Sequence, residues 1–135
     1  MKIAVIGSMS FYDELVVVKK DLENIGFEAE IPFFDKTANY KVWDKEEAIR
    51  VKLKHDILKA NFDFMKRNDF ILVFNTHEKN GIKNYIGGNT FLEMGFAYVL
   101  GKKIFLLKEI PILSYESEIV AMKPIVINEK LSLIK

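Results

Sequence analysis

One carboxylate stands apart from its surroundings. From Asn84 to Gly101 the chain reads NYIGGNTFLEMGFAYVLG, and Glu93 is the sole charged residue in that stretch. Phe91, Leu92, Met94, Phe96, Tyr98, Val99 and Leu100 flank it, so a helix built here has almost no polar face and is expected to be enclosed on most sides. A carboxylate in apolar surroundings is costly unless it is hydrogen-bonded or used, and burial raises its pKa. Such an isolated, buried carboxylate is a candidate functional group. Thr90-x-x-Glu93 also has the spacing of a capping box, in which a glutamate ties down a helix start without any chemistry. The residues alone weigh these two roles equally.

Immediately before that helix come Gly87, Gly88, Asn89 and Thr90. Free backbone N–H groups and the positive dipole end would point outward there, offering a place for a phosphate, a carboxylate or a sugar hydroxyl. Glycines ahead of a helix are more often only a loop. Their meaning depends on the elements that deliver them.

Ile3 to Ile6 is a short apolar run ending in Gly7-Ser8, which predicts a buried parallel strand leading into a tight turn. Ser10 and Asp13 suggest a cap, Leu15, Val18, Leu22 and Ile25 share a helical face, and Gly26 falls at the C′ position. Phe27, Ala29 and Ile31 alternate with charge up to Pro32, as an edge strand does. A connection carrying Phe33, Phe34, Tyr40 and Trp43 leads to a long charged helix from about Lys45 to Lys66, with Ile49, Leu53, Ile57, Ala60 and Phe64 as its stripe and Asn61 at the stripe's edge. Its lysine-rich face reads as solvated. Phe70 to Phe74 and Ile104 to Leu107 are further apolar strands, separated by the Thr90 to Leu100 helix that Gly101 closes. A short helix near Tyr115 to Met122, a strand at Ile125 to Ile127 and a polar C-terminal tail complete the chain.

Strands alternating with helices, with central strands apolar throughout, imply an α/β fold with right-handed crossovers. The expected architecture is a doubly wound five-stranded parallel sheet, order 2-1-3-4-5, with helices on both faces, filling residues 1–135 as one domain. Ligand then sits beyond the strand C-termini at the switch point, where Gly7-Ser8-Met9 and Asn75-Thr76-His77 should flank it.

Composition narrows the function. Twenty basic and nineteen acidic residues leave a net charge of +1, with lysines dispersed, which disfavours nucleic acid as a partner. The absence of cysteine removes disulfides, thiolate metal sites and a thiol nucleophile, and two histidines argue against a metal centre. The N-terminus shows no basic n-region, and its apolar run is far too short to span a bilayer. No membrane association and a cytoplasmic location are the expectation.

The stretch IGGNTFLEMGFAYVLGKKIFLL resembles the signature of the nucleoside 2-deoxyribosyltransferase family, Glu-x-Gly-(Tyr/Phe)-Ala followed by Gly-Lys, at Glu93, Gly95, Phe96, Ala97, Gly101 and Lys102. The likeness extends to Gly7-Ser8, to the strand opening at Asp69 and to Ala121-Met122. It implies a flavodoxin-like sheet and no metal or organic cofactor. It also implies a glutamate that attacks C1′ of deoxyribose, expels the base and holds the sugar until water or another base takes it. Glu93 inherits that role from the resemblance, and the small-molecule partner becomes a nucleoside or its 5′-monophosphate. Ser8 resembles the phosphate-contacting turn of the nucleotide-hydrolysing members. Met122 matches a residue lent to a neighbouring subunit's pocket, which implies a homodimer or larger homo-oligomer.

The chain departs from the family where an acidic residue assists the leaving base, for Asn61 stands there. Asparagine hydrogen-bonds a base or hydroxyl but cannot donate and recover a proton. Asp56 and Asp63 read as solvated charges; His77 and Glu78 are within reach of the pocket mouth to protonate a leaving base, although an exposed loop histidine is more often just solvated. The strand-one tyrosine is replaced by the Ala4-Val5 neighbourhood and the polar residue before Ala121-Met122 by Val120. A nucleotide-binding or signalling module with weak or no chemistry is therefore the alternative. A receiver-like or flavin-binding module is weaker still, because no acidic cluster or flavin phosphate loop follows the first strand.

Overall fold

The structure is a computed structural model that describes residues 1–42 and 44–135. Trp43, expected in the aromatic connection, lies outside the described residues. Five strands, β1 (Lys2–Ile6), β2 (Glu28–Glu30), β3 (Phe70–Val73), β4 (Lys103–Leu106) and β5 (Ile125–Val126), form one sheet in the order 2-1-3-4-5. Every pairing is parallel, with Ile3 opposite Phe70 and Phe70 opposite Lys103 setting the central register. The helices are α1 (Tyr12–Asn24), α2 (Lys45–His55), α3 (Ile57–Lys66), α4 (Gly88–Val99) and α5 (Glu116–Ala121).

Alternate residues of a strand face opposite sides, and both sides here are covered. Ile3, Val5, Phe70, Leu72 and Phe105 pack with Leu15 and Leu22 of α1 on one face. Ala4, Ile6, Ile71, Val73 and Leu106 pack on the other with Phe64 and Met65 of α3 and Met94 and Ala97 of α4. That double coverage is why β1, β3 and β4 are apolar throughout. Among the described residues no helix is long and apolar enough to cross a membrane.

Several local expectations need correction. The long helix is two helices, because Asp56 takes a left-handed conformation (φ 45, ψ 57) that caps α2 and starts α3. A left-handed residue swings the axis, so helical periodicity does not carry across it. Leu53 is consequently 78 % exposed and Ile49 is exposed too, while Val51 is the buried residue of α2. The Ser10–Asp13 cap does not form: Ser8 caps a 3-10 turn at Met9–Phe11 that precedes α1, and Phe11 at the α1 N-cap makes no side-chain bond. Ile25 is exposed rather than buried, though Gly26 has the expected positive φ of 102. The C-terminal tail is not merely polar, for Ile134 is buried against the α1 face with Leu131 beside it. Finally α4 is less enclosed than its composition suggests, with Leu92, Tyr98 and the 83 % exposed Val99 turned outward.

Asn75, expected to flank the ligand, is a structural pin instead. Its Nδ2 donates to the carbonyls of Lys108 and Glu109 at 3.1 and 3.2 Å, and its Oδ1 accepts from Lys108 N at 2.9 Å. These bonds tie the loop after β3 to the loop after β4. Asn75→Ala strands the buried partners and is expected to cost about 2–3 kcal/mol, read as a lower urea midpoint at unchanged slope.

Candidate active site

The C-terminal ends of β1 and β3 open into a cleft with two lobes. The larger, about 600 Å³, is lined by Gly7, Ser8, Met9, Phe11, His77 and the α4 start from Gly87 to Thr90. The smaller, about 290 Å³, is lined by Glu93, Asn61, Phe33, Ile57 and Asp63. Gly7, Met9, Tyr40, Lys52 and Asn89 belong to both and form the waist between them.

Gly7 is fixed by sterics. A Cβ there would stand 3.1 Å from both Cβ and the carbonyl oxygen of Phe74 and 3.5 Å from Leu15 Cδ2. The strand end cannot yield to a methyl group without moving the floor of the cleft. Gly7→Ala is expected to destabilise the fold by about 1–3 kcal/mol, measurable by denaturant unfolding.

The start of α4 decides what Glu93 does. The helix begins at Gly88 with Gly87 as a bare N-cap that makes no side-chain bond. Thr90 therefore lies inside the first turn and Glu93 lies beyond it, so the capping box does not form. Helix-start N–H groups do not hold the Glu93 carboxylate, contrary to the capping-box spacing. They are left facing the larger lobe. The Glu93 side chain is 1 % exposed. Among the described residues its Oε1 accepts one hydrogen bond, from Asn89 Nδ2 at 3.2 Å, and its Oε2 has no partner. Burial pushes the carboxyl up to about 8, and the single neutral donor does not offset the loss of water. An amide suits this position in either ionisation state, since Nδ2 donates to a carboxylate and a flipped Oδ1 accepts from the acid.

Asn61 is buried and lines the Glu93 lobe from α3. Asp63 reaches the same lobe at its rim, where it is half exposed and 3.9 Å from Lys66 Nζ. Asp63 is thus the solvated charge the sequence suggests, and it also borders the lobe. The aromatic connection divides. Phe33 and Tyr40 line the small lobe, whereas Phe34 stacks between Tyr12 at 4.2 Å and Tyr40 at 5.1 Å.

That connection is tied down at Asp35. Its Oδ1 accepts from the hydroxyl and N–H of Thr37 at 2.6 and 2.8 Å, and its Oδ2 meets His55 Nε2 at 2.7 Å. Thr37 first and His55 second hold the Asp35 carboxyl well below the usual carboxylate range. The backbone N–H of Asp35 donates to Tyr40 Oη at 3.1 Å, so the knot also positions Tyr40 at the waist.

In the larger lobe the Ser8 and Ser10 hydroxyls are 2.7 Å apart. His77 stacks flat on Phe11, with centroids 3.7 Å apart, and its Nε2 lies 3.3 Å from Glu14 Oε2 without hydrogen-bond alignment. Lys41, Lys52, Lys79 and Tyr85 line this lobe as well. Sequence reasoning passed over all four, since isolated lysines and a loop tyrosine carry no spacing signal. Of the residues expected at the pocket from sequence, Met122, Asn75 and Thr76 do not line the cleft. Met122 packs in the core beside Gly95, whose added Cβ would lie 3.9 Å from Met122 Cε, so Gly95 faces Met122 and not the sheet or a ligand.

Fold and cleft together define a doubly wound α/β protein with a two-lobed pocket at the β1/β3 switch point. No protein-family model matches the chain, and no curated protein matches it significantly. One solved structure it is similar to is the CMP N-glycosidase BcmB of Clostridium botulinum, with a TM-score of 0.48 and 18 % identity, covering 78 % of this chain and 70 % of that one.

Proposed function

We propose that the protein is an enzyme that cleaves the N-glycosidic bond of a deoxynucleoside or its 5′-monophosphate, or transfers the 2-deoxyribosyl group, through a covalent intermediate on Glu93. The observation that carries this reading is a buried carboxylate with one oxygen held by Asn89 and the other unpartnered, in a lobe of nucleoside dimensions. A glutamate retained for packing or capping would have both oxygens satisfied or exposed.

In the proposed reaction the ionised Oε2 bonds to C1′ through an oxocarbenium-like transition state. The C1′–N bond breaks with its electron pair going to the base, which takes up a proton. Water or a second base then attacks C1′ and frees the carboxylate. Asn61 orients the base or a sugar hydroxyl, while Asp63 at the rim is the carboxyl group available for proton transfer. Phe33 and Tyr40 offer faces for stacking. Ser8 and the α4 start, Gly87 to Thr90, take the 5′ side. Assembly into at least a homodimer belongs to the same reading, with Met122 outside its own chain's cleft and α4 presenting apolar side chains outward.

The test is incubation with a panel of 2′-deoxynucleosides and their monophosphates, with and without a free acceptor base, comparing wild type and Glu93→Ala. Free base or exchanged nucleoside from wild type alone is the expected result. Nucleotide binding without turnover would instead favour the binding or signalling module, a reading to which the amide at Asn61 gives specific support.

A further inference from the structure

The two lobes differ in size and charge more than a monophosphate requires. Taking the Glu93 lobe as the sugar and base site, as proposed above, we infer that the larger lobe holds a polyphosphate. The substrate is then a nucleoside 5′-diphosphate or triphosphate.

At about 600 Å³ the larger lobe has the volume of roughly twenty waters at about 30 Å³ each. One phosphate group would leave most of it to solvent. Its lining is built for anions from several directions. The uncapped N-terminus of α4, a helix of 12 residues, presents free N–H groups. Thr90 lines the lobe while only 5 % exposed, and its hydroxyl makes no hydrogen bond among the described residues. It is a hydroxyl donor free to take an acceptor in the lobe.

Three lysines reach the lobe from separate segments: Lys41 from the turn after Tyr40, Lys52 from α2 and Lys79 from the loop after β3. Among the described residues neither Lys41 nor Lys52 forms an ion pair, and the Lys79 ammonium sits 5.4 Å over the Tyr85 ring. Of the carboxylates nearby, Glu78 shares the lining and Glu14 faces His77. A chain of phosphates running from the α4 start toward these cations meets more of them than a single phosphate at the helix end. Lys52 and Asn89, at the waist, would then stand beside the phosphate nearest the sugar.

The experiment uses Glu93→Gln protein, so that nothing is consumed, and calorimetric titration with the mono-, di- and triphosphates of the four common deoxynucleosides without divalent metal. At least one base is expected to give triphosphate binding about tenfold or more tighter than its monophosphate, from added charge-assisted hydrogen bonds. Lys41→Gln and Lys79→Gln should each shrink that ratio. Tripolyphosphate alone should bind at least about tenfold more weakly than the nucleoside triphosphate, since it leaves the small lobe empty. Equal or weaker triphosphate binding, tripolyphosphate binding as tightly as the nucleotide, or no binding at all overturns the inference. Base release by wild type is scored separately. A triphosphate that binds preferentially but is never cleaved upholds the polyphosphate site and removes the glycosidic reading, whereas monophosphates bound and cleaved as well as triphosphates do the reverse.

Discussion

Glu93→Gln is expected to abolish base release and, at alkaline pH, to make the fold more stable. The glutamine keeps the shape of the side chain but cannot form the ester to C1′, so kcat/KM should fall on the order of 10⁴-fold. The stability change follows from linkage. The carboxyl is pushed up from 4.5 to about 8 in the folded protein by burial. Below about 4.5 both folded and unfolded states hold the proton and the carboxyl costs nothing extra. As pH rises, the unfolded chain releases its proton first while the folded one keeps it, so stability declines through this window and levels off above about 8. At about 1.4 kcal/mol for each pH unit, the wild type should lose about 4 kcal/mol between about pH 5 and pH 9 that the glutamine variant does not. Urea unfolding at pH 5 and pH 9 measures it, with the variant near wild type at the first and well above it at the second. A variant retaining a tenth of wild-type turnover would take Glu93 out of the nucleophile's position, and a wild type equally stable at both pH values would mean that Glu93 is not buried as an acid.

The second large effect is a rising limb in the pH dependence of the reaction. Attack requires the ionised carboxylate, and kcat/KM reports the ionisations of the free enzyme. With Glu93 near 8, kcat/KM should climb about tenfold per pH unit and flatten above about 8, standing roughly a hundredfold below its plateau at pH 6. The limb belongs to Glu93 only if its surroundings move it. Asn89 donates the one hydrogen bond the carboxylate receives, so Asn89→Ala should displace the limb to higher pH. A profile flat from pH 6 to 9 would mean that Glu93 is already ionised before substrate arrives. An unmoved limb in Asn89→Ala would assign the titration to another group.

The framework of this molecule is written plainly in its sequence and the cleft only in part. Ile3 to Ile6, Phe70 to Val73 and Ile104 to Leu106 read as buried strands because a sheet covered on both faces leaves no polar position, and the alternation of Phe27 to Ile31 fits the edge place that β2 takes in the order 2-1-3-4-5. The position of Glu93 in a buried helix was equally legible. Its bonding was not, because the Thr90 spacing mimics a cap and only the backbone at Gly87 reveals an earlier helix start. The Asp56 break was hidden for a related reason. Nothing local distinguishes a left-handed aspartate from a helical one, yet that residue ends α2 and starts α3, and the stripe expected to run through Leu53 is interrupted there. Lys52 and Tyr40 meet at the waist through long-range contacts that no periodicity encodes.

The outer wall of the Glu93 lobe, from Pro32 through Tyr40 and Asn61 to Arg67, is drawn from one unbroken stretch of chain, while Glu93 and Asn89 come from another. On the proposed function, base choice would be carried in a single contiguous cassette, knotted at Asp35 and inserted between β2 and β3. Substitution or recombination within that cassette would then retune which base is accepted while α4 is inherited unchanged.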